Sequence, residues 1–452
     1  MLKDKNTLRK RVSRYARVSK AMAGFGARVA SQRYLGLESD RQKQAERLRQ
    51  ALGGLKGPLM KVAQILSTIP DAVPLEYAKE LSQLQSDAPS MGWPFVKRRM
   101  IAELGVDWEK RFREFNHEAS AAASLGQVHK AIGIKGEDLA CKLQYPDMAS
   151  SVAADLKQLK LVMILFEHYD RALSTKKIQE EIKARLLEEL DYKREARHIH
   201  LYQLILKGVK TVHIPDVFEK LSTQRLLTMS WLEGQKLNDV IPNRSLSARN
   251  TIAVNMFHAW YVPFYYYGVI HGDPHLGNYS VCKNNDINLL DFGCVRIFNP
   301  TLVQGVILLY KSLQDRRPDL ALEAYKALGF EKPTRALVEV LNIWAQFIYA
   351  PILEDKKRLI EETNTGLYGR ETAAKVHHEL RKIGGVEVPR EFVFMDRAAI
   401  GLGSVFLRLR AEMNWYQMFQ ELIQDFNMKD LTKNQERVLK NSGLSGGNPA
   451  AT

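Results

Sequence analysis

Two short polar motifs near the middle of the chain constrain its fold more than any other feature. The first is a loop with an Asp-x4-Asn spacing, His271-Gly272-Asp273-Pro274-His275-Leu276-Gly277-Asn278. The second is Asp291-Phe292-Gly293, which follows a short apolar run. Carboxylate and amide oxygens are hard ligands of the kind that Mg²⁺ binds together with the phosphates of a substrate. The two motifs therefore predict a metal and phosphate site flanked by short strands, with Asn278 and Asp291 as the metal ligands.

A single lysine lies in an otherwise apolar strand upstream of both motifs. Lys142 is part of Leu139–Gln144, and a half-buried ammonium group costs free energy unless an anion pairs with it. Glu195, in a downstream helical segment, is the candidate partner. Alone, Lys142 would more simply be an edge-strand lysine whose stem lies along apolar surface. The two downstream motifs reverse that preference, because this order of motifs is found in protein kinases.

The order of the motifs predicts an α+β, protein-kinase-like two-lobed fold. Asp273 would then handle the proton of the nucleophile, and Lys142 with Glu195 would position the α- and β-phosphates of ATP. The His-Gly-Asp form, in place of His-Arg-Asp, favours small-molecule and atypical kinases. We expect five segments: a basic arm at 1–37, a helical extension at 38–111, an N-lobe at 112–235, a helical C-lobe at 236–435 and a flexible tail at 436–452.

The segment before the lysine strand departs from an ordinary kinase. A glycine-rich phosphate loop is expected there, but the chain has Ala121-Ala122-Ala123-Ser124-Leu125-Gly126-Gln127-Val128-His129. Alanine allows fewer backbone conformations than glycine, so we expect Ala122, Ala123 and Ser124 to hold phosphate differently. Without its neighbours, the alanine run would predict a helix or a tight loop. Adenine is expected at the hinge Met229-Ser230-Trp231-Leu232, where Trp231 is equally well explained as a core residue.

Taken together, these motifs resemble the UbiB/AarF family of atypical kinases. Besides the alanine-rich loop and the Asp273 loop, the resemblance rests on two further segments, Glu189-Leu190-Asp191-Tyr192-Lys193-Arg194-Glu195-Ala196 and Lys61-Val62-Ala63-Gln64. A late segment from Val388 through Asp396 to Trp415 looks familial as well. Two residues depart from the family pattern: Ala63, where the family has Gly, and Leu276, where it has Pro.

The resemblance implies that an N-terminal extension carrying a Lys-x-Gly-Gln motif packs over the active site and gates it. In this chain Lys61 and Gln64 would gate access, with Lys61 facing Glu189 and Asp191. Residues two apart do not share a helix face, whereas Asp191 and Glu195 do. This geometry favours Asp191 as the partner of Lys61.

The same resemblance implies a function in lipid chemistry. It suggests an ATP-dependent atypical kinase or ATPase, with ATP and Mg²⁺ as cofactors. The enzyme would support isoprenoid quinone (ubiquinone) biosynthesis or related lipid metabolism, and its partners would be isoprenoid or quinone-precursor lipids. Two alternatives stay open. One is a kinase that transfers the γ-phosphate to a hydroxyl of a small molecule or a protein, and the other is a non-catalytic, nucleotide-sensing scaffold of a membrane-associated complex.

The charge and hydropathy of the chain limit the classes of partner and the cellular locations that fit it. A formal net charge of +15 favours anionic partners, but no nucleic-acid motif accompanies it. The basic first twenty residues are compatible with an anionic membrane surface, a solvated arm or a targeting segment. The uncharged stretch Asn250–Ile270 is interrupted by polar residues and Pro263, so we expect a buried helix and no transmembrane segment. Three cysteines without metal-ligand spacing indicate a reducing compartment. We expect a cytoplasmic protein, with peripheral membrane contact and the oligomeric state left open.

Overall fold

The computed structural model of the chain describes residues 91–123, 125–145, 148, 187–361, 370–384, 386 and 388–444. The chain forms two compact units. The first unit comprises Met1–Tyr192 with Glu219–Thr228, and the second comprises Lys193–Phe218 with Met229–Thr452. The expected basic arm, most of the helical extension and its Lys61 and Gln64 lie outside the described residues.

An antiparallel sheet forms the body of the first unit. Its strands run in the order β1-β3-β4-β6, and β2 pairs with β3 next to β1. One helix precedes the sheet. The elements are α1 (Trp93–Leu104), β1 (Phe112–Phe115), β2 (Ala121–Ala123), β3 (Gly126–Gly133), β4 (Asp138–Gln144) and β6 (Leu226–Ser230), the last of which begins in this unit. All residues of β4 after Asp138 are buried, so this strand is covered on both of its faces.

Arg99 attaches α1 to the end of the lysine strand. Its guanidinium is buried and donates to the carbonyl oxygens of Gln144 and Tyr145, each at 3.2 Å, and to the Glu103 carboxylate at 3.1 Å. A buried guanidinium is tolerated because its donors have partners here. These contacts fix the direction in which the chain leaves β4.

The second unit is mainly helical and contains two small sheets. β5, β10, β9 and β7 form one sheet in that order, in which β5 and β10 are parallel, and β8 pairs antiparallel with β11. The strands are β5 (Val212–His213), β7 (Gln235–Lys236), β8 (Val269–His271), β9 (Tyr279–Val281), β10 (Ile287–Leu289) and β11 (Val295–Ile297). The helices are α2 (Tyr192–Ile205), α3 (Leu237–Val240), α4 (Leu246–Tyr267), α5 (Pro300–Gln314), α6 (Pro318–Ala327), α7 (Arg335–Tyr349), α8 (Arg370–Lys382), α9 (Arg390–Leu409), α10 (Trp415–Ile423) and α11 (Met428–Asn441). The first residue of α2, Tyr192, is the last residue of the first unit's main segment.

The helix α4 is the central element of the second unit. Ser245 caps its N-terminus by accepting from the Ala248 N–H, and Gly268 ends it in the left-handed region with φ of 62°. Ile252, Met256 and Trp260 are among its buried residues. The described helices, α4 included, are all too short or too polar to cross a bilayer. The predicted buried helix is therefore confirmed.

The predicted α+β class is confirmed, and the lysine strand predicted at Leu139–Gln144 is present within β4. At two places the local backbone differs from what the residues alone favour. The alanine-rich run, which in isolation predicts a helix or tight loop, starts with strand β2, because its backbone pairs with β3 from Ala121 to Ala123. The β-branched residues of Ile214–Glu219 favour a strand, but this segment is irregular backbone that follows the two-residue β5. Pro215 lies in that segment and lacks the N–H that a strand ladder needs.

Candidate active site

The loop that carries Asp273 follows β8, which pairs with β11. Gly272 donates its backbone N–H to the Cys294 carbonyl at 2.6 Å. A Cβ at Gly272 would lie 2.5 Å from the same oxygen, closer than real Cβ atoms approach. The glycine of His-Gly-Asp is therefore required by the close approach of the two strands.

A short turn brings Asn278 back to Asp273. The Asn278 side-chain Nδ2 donates to the Asp273 carbonyl at 3.1 Å. His275 Nδ1 accepts from the Gly277 N–H at 3.1 Å, and the Asn278 carbonyl accepts from Leu290 N–H at 3.0 Å. Because Nδ2 is used as a donor, Oδ1 is the atom of Asn278 left to bind a metal ion. Leu276, which departs from the family pattern, lies within this turn and leaves Asp273 and Asn278 in register.

The Asp291-Phe292-Gly293 segment is held by its own turn and by α2. Asp291 Oδ1 accepts from the Gly293 N–H at 2.9 Å. The Phe292 N–H donates to Glu195 Oε1 at 3.4 Å, and the Phe292 carbonyl accepts from His198 Nδ1 at 2.9 Å. Both backbone groups of Phe292 are thus bonded to buried side chains of one helix.

A buried aromatic cluster supports these backbone bonds. His271 Nε2 donates to the Asp291 carbonyl, and the rings of Tyr202 and Phe292 lie 5.3 Å apart. Trp260 Nε1 donates to the Tyr279 hydroxyl at 3.1 Å. Burial raises the pKa of Tyr279 well above its ordinary value, and the nearby negative charge of Asp273 adds to the effect. Burial also raises the pKa of Tyr202, so both phenols stay protonated at neutral pH and cannot act as bases.

The donor set of this loop suits Mg²⁺. Asp291 supplies carboxylate oxygen and Asn278 supplies amide oxygen, and both are hard ligands that leave coordination positions for water and phosphate. Within the part of the chain that the structure describes, no group of three or more His, Cys, Asp and Glu residues forms a separate metal site.

The predicted phosphate-binding lysine lies in β4 of the first unit. Lys142 is buried, and its Nζ lies 5.3 Å from the centre of the buried Tyr192 ring. A cation over an aromatic face is stabilised by the ring quadrupole. Glu195 belongs to the second unit, and its pairing with Lys142 stays a prediction.

The polar residues that follow the alanine run have a structural role that sequence reasoning missed. Gln127 is fully buried: Oε1 accepts from the Met91 N–H at 2.7 Å, and Nε2 donates to the Met91 carbonyl at 3.1 Å. Gln127 Nε2 also lies 2.8 Å from His129 Nε2, and His129 Nδ1 lies 2.8 Å from the Asn116 carbonyl. Burial lowers the pKa of His129. A neutral His129 that donates from Nδ1 satisfies the whole chain of bonds.

The other predicted site residues have varied environments. Ala122 is exposed in β2, Ala123 ends that strand, and Ser124 lies outside the described residues. Glu189 and Asp191 are half-buried. Asp191 directly precedes α2, so the helix-face argument that favoured it over Glu189 does not hold, and the partner of Lys61 stays open between the two.

The predicted hinge begins with a buried residue. Met229 is buried, whereas Ser230, Trp231 and Leu232 are half-buried. Ser230 Oγ accepts from the Asp216 N–H at 2.9 Å, and the Ser230 N–H donates to the Asp216 carbonyl at 2.8 Å. The Ser230 side chain is therefore used within the second unit, and adenine contact by the hinge backbone stays a prediction.

His198 is a site residue that the sequence could have revealed. It follows Glu195 by three positions, which puts both side chains on one helix face. Both are buried, at 3% and 1% of their full exposure. Two buried polar side chains at this spacing indicate a common polar target, which the structure identifies as the backbone of Phe292.

Comparison with known proteins agrees with this geometry. Residues 83–321, just over half of the chain, match the family model described as the ABC1 atypical kinase-like domain. The chain is 30% identical over 293 residues to Protein ACTIVITY OF BC1 COMPLEX KINASE 8, chloroplastic, of Arabidopsis thaliana, covering 63% of this chain and 38% of that protein. It is 29% identical over 289 residues to Atypical kinase COQ8, mitochondrial, of Saccharomyces cerevisiae, covering 63% of this chain and 57% of that protein. The chain therefore spans less than two thirds of the length of these curated relatives.

A solved structure from Mycobacterium tuberculosis, described as the complex structure of Rv3197-erythromycin, is similar over 85% of this chain and 96% of that chain. The two are 25% identical, with a TM-score of 0.60. The similarity of sequence and fold thus extends well beyond the Asp273 and Asp291 motifs. The protein belongs to the ABC1 atypical kinase-like family, and the resemblance to UbiB/AarF kinases predicted from its motifs is confirmed.

Proposed function

We propose that the protein is a Mg-ATP-dependent atypical kinase or ATPase that supports isoprenoid quinone biosynthesis or related lipid metabolism. The observation that carries the ATP part is the joint placement of Asp273, Asn278 and Asp291. Asn278 bonds to the backbone of Asp273, and α2 holds the residue after Asp291. The lipid part is supported by membership of the family and by similarity to COQ8 alone.

Each residue would have a distinct role in phosphoryl transfer. Lys142, paired with Glu195, would bind the α- and β-phosphates, while Met229 and the hinge residues Ser230 to Leu232 would contact adenine through their backbone. Bound Mg²⁺, held by Asn278 and Asp291, would neutralise charge on the phosphates. Asp273 would orient a water or a hydroxyl and accept its proton as the new P–O bond forms and the bond to the β-phosphate oxygen breaks.

The N-terminal extension and the alanine-rich hairpin would restrict the acceptor. Lys61 and Gln64 would gate access by contacts with Glu189 or Asp191, and Ala122, Ala123 and Ser124 would lie near the phosphates. Such a cover leaves little space for a peptide. This favours hydrolysis or a small acceptor over a protein substrate. Partners would be ATP, isoprenoid or quinone-precursor lipids and, peripherally, an anionic membrane at the cytoplasmic side.

The ATP site is tested by Asp291→Asn, which removes the charged metal ligand. We expect Mg²⁺-dependent ATP turnover to fall by more than about 1000-fold, because the metal stabilises the charge of the transferring group. The matched control is Asp286→Asn in the β9–β10 turn, where Asp286 pairs with His213 at 3.0 Å, and it should keep turnover. Unchanged turnover in Asp291→Asn would remove the assignment.

The acceptor and the pathway need separate measurements. Following labelled γ-phosphate separates hydrolysis, which gives free phosphate, from transfer to a hydroxyl. A nucleotide-sensing scaffold would bind Mg-ATP without either product. Quinone and lipid profiles of a strain lacking the protein test the pathway, and unchanged profiles would remove the quinone assignment while leaving the ATP site intact.

A further inference from the structure

The helix α9 touches the loop that carries Asp273 at a residue without a side chain. A Cβ at Gly401 would overlap Cγ of Pro274 and would lie 2.8 Å from its Cβ. Real Cβ atoms do not approach other heavy atoms so closely. Gly401 therefore allows the helix backbone to lie directly against the residue that follows Asp273.

The same face of α9 contacts the paired strands β8 and β11 at a second point. Phe394 lies seven residues before Gly401, two helical turns away on the same side. The Arg296 guanidinium of β11 lies 5.4 Å from the centre of the Phe394 ring, and the Arg390 guanidinium lies 5.5 Å from it. The helix thus contacts β11 near its start and the loop after β8 two turns later.

The opposite face of α9 is attached to α7 and α8. Trp344 Nε1 donates to Asp396 Oδ1. Ile400 packs on an apolar cluster formed by Val340, Trp344 and Val376. The helix is therefore held between this cluster and the loop, and a displacement at one face is resisted at the other.

We infer that α9 is a positioning element of the Asp273 loop and that Gly401 is the positioning residue through which it acts, an inference that rests on the proposed phosphoryl-transfer function. Proline has a fixed φ, so a displaced Pro274 ring carries the backbone of Asp273 with it. Asn278 is bonded to that backbone and moves too. The positions of Asp273, the proposed proton acceptor, and of Asn278, a proposed metal ligand, therefore depend on the absence of a side chain at Gly401.

The test substitutes Gly401→Ala and measures kcat, KM for ATP and affinity for a non-hydrolysable ATP analogue. A shift of about 1 Å in a catalytic group lowers the rate by about 100-fold, so we expect kcat to fall by that order. Affinity for the analogue should stay within about twofold, because displacement of positioned groups reduces transition-state stabilisation more than ground-state binding. Loss of affinity alone, with kcat unchanged, would contradict the inference.

Gly305→Ala is the matched control. Gly305 is also inside a helix, and its Cβ would meet Ala327 Cβ at 3.0 Å and the Ala324 carbonyl at 3.1 Å, across the contact of α5 with α6. The same substitution there strains a helix contact without contacting Pro274. It should keep kcat. An equal loss of kcat in both variants would mean that general destabilisation is responsible, and the inference would fall.

A second variant tests the steric cause. Pro274→Gly in the Gly401→Ala background removes the ring that collides with the new methyl group. We expect kcat of the double variant to be about tenfold higher than that of Gly401→Ala. Independent effects of the two substitutions would instead predict a kcat no higher than that of Gly401→Ala. If the loss of kcat in the double variant equals the product of the losses in the two single variants, the proposed contact is overturned.

Hydrogen exchange gives a readout that does not require turnover. The amides of Gly272, Gly277 and Asn278 are all hydrogen-bonded, the first to the carbonyl of Cys294 just before β11 and the other two within the loop. Gly401→Ala should raise their exchange rates by about tenfold, which corresponds to about 1.4 kcal/mol, and Gly305→Ala should not. If the wild-type protein does not turn over ATP, the proposed function fails, and unchanged exchange in Gly401→Ala would separately overturn the positioning role.

Discussion

Two helices of the second unit, α2 and α9, support the two ends of the candidate active site by different means. The helix α2 uses buried polar side chains, Glu195 and His198, that bond to the backbone of Phe292. The helix α9 contacts the Asp273 loop through shape, with Gly401 against Pro274. Polar support places specific atoms and is lost when one donor or acceptor is removed. Steric support is lost when volume is added.

The largest effect is expected when Glu195 is removed from α2. Glu195→Ala leaves the buried N–H of Phe292 without an acceptor, at a cost of about 1–3 kcal/mol, and removes the proposed partner of Lys142. We expect ATP turnover to fall by about 1000-fold, as for loss of a preorganised electrostatic group. Glu195→Gln keeps an acceptor for Phe292 and separates the two roles. Equal turnover of Glu195→Ala and the wild type, with both folded by circular dichroism, would contradict the polar role of α2.

A smaller effect is expected at His198. His198→Phe keeps the ring but removes the donor to the Phe292 carbonyl, and an unpaired buried carbonyl costs about 1–3 kcal/mol. We expect turnover to fall by about tenfold. The control is His200→Phe on the same helix, where the half-buried His200 has Gln203 Oε1 3.2 Å from its Nδ1. A loss at His200 equal to that at His198 would show that turnover responds to any change in α2.

The smallest effect concerns stability at the far face of α9. Burial raises the pKa of Asp396 to about 7, and the Trp344 N–H opposes the rise. Asp396 keeps some accessible surface, and its carboxylate accepts from the indole N–H of Trp344. A carboxyl with a raised folded-state pKa stabilises the fold fully below its unfolded pKa of about 4, and this contribution is lost as pH rises through about 7.

Urea unfolding between pH 5 and pH 8 measures this contribution. The wild-type free energy of unfolding should fall by at most about 1.4 kcal/mol per pH unit from this group. Asp396→Asn keeps an acceptor for Trp344 and should flatten that slope. Asp319→Asn, at an exposed carboxyl of α6 paired with Arg317, should keep the wild-type slope over this range. An unchanged slope in Asp396→Asn would mean that Asp396 is ionised throughout.

The sequence made the chemistry of the site predictable but left its supports hidden. Asp273, Asn278, Asp291, Lys142 and Glu195 could be predicted as site residues because metal and phosphate chemistry needs particular residue types at particular spacings. Gln127 and His198 were missed because the backbone groups that they bond, those of Met91 and Phe292, are distant along the chain. The pairing of the alanine-rich run with β3 was missed because alanine has no strand preference of its own, and the register of the neighbouring strand decides its conformation.

By itself, the amino-acid sequence determined the family, the α+β class and the residue types that could bind Mg²⁺ and phosphate, because charge and spacing are local properties. The tertiary structure alone decided that Phe292 is held by α2, that Asp191 stands before a helix rather than within it, and that Gly401 lies against Pro274. These features depend on how elements far apart in the chain pack together. The sequence around a helical glycine does not indicate which neighbouring residue requires the absence of a side chain there.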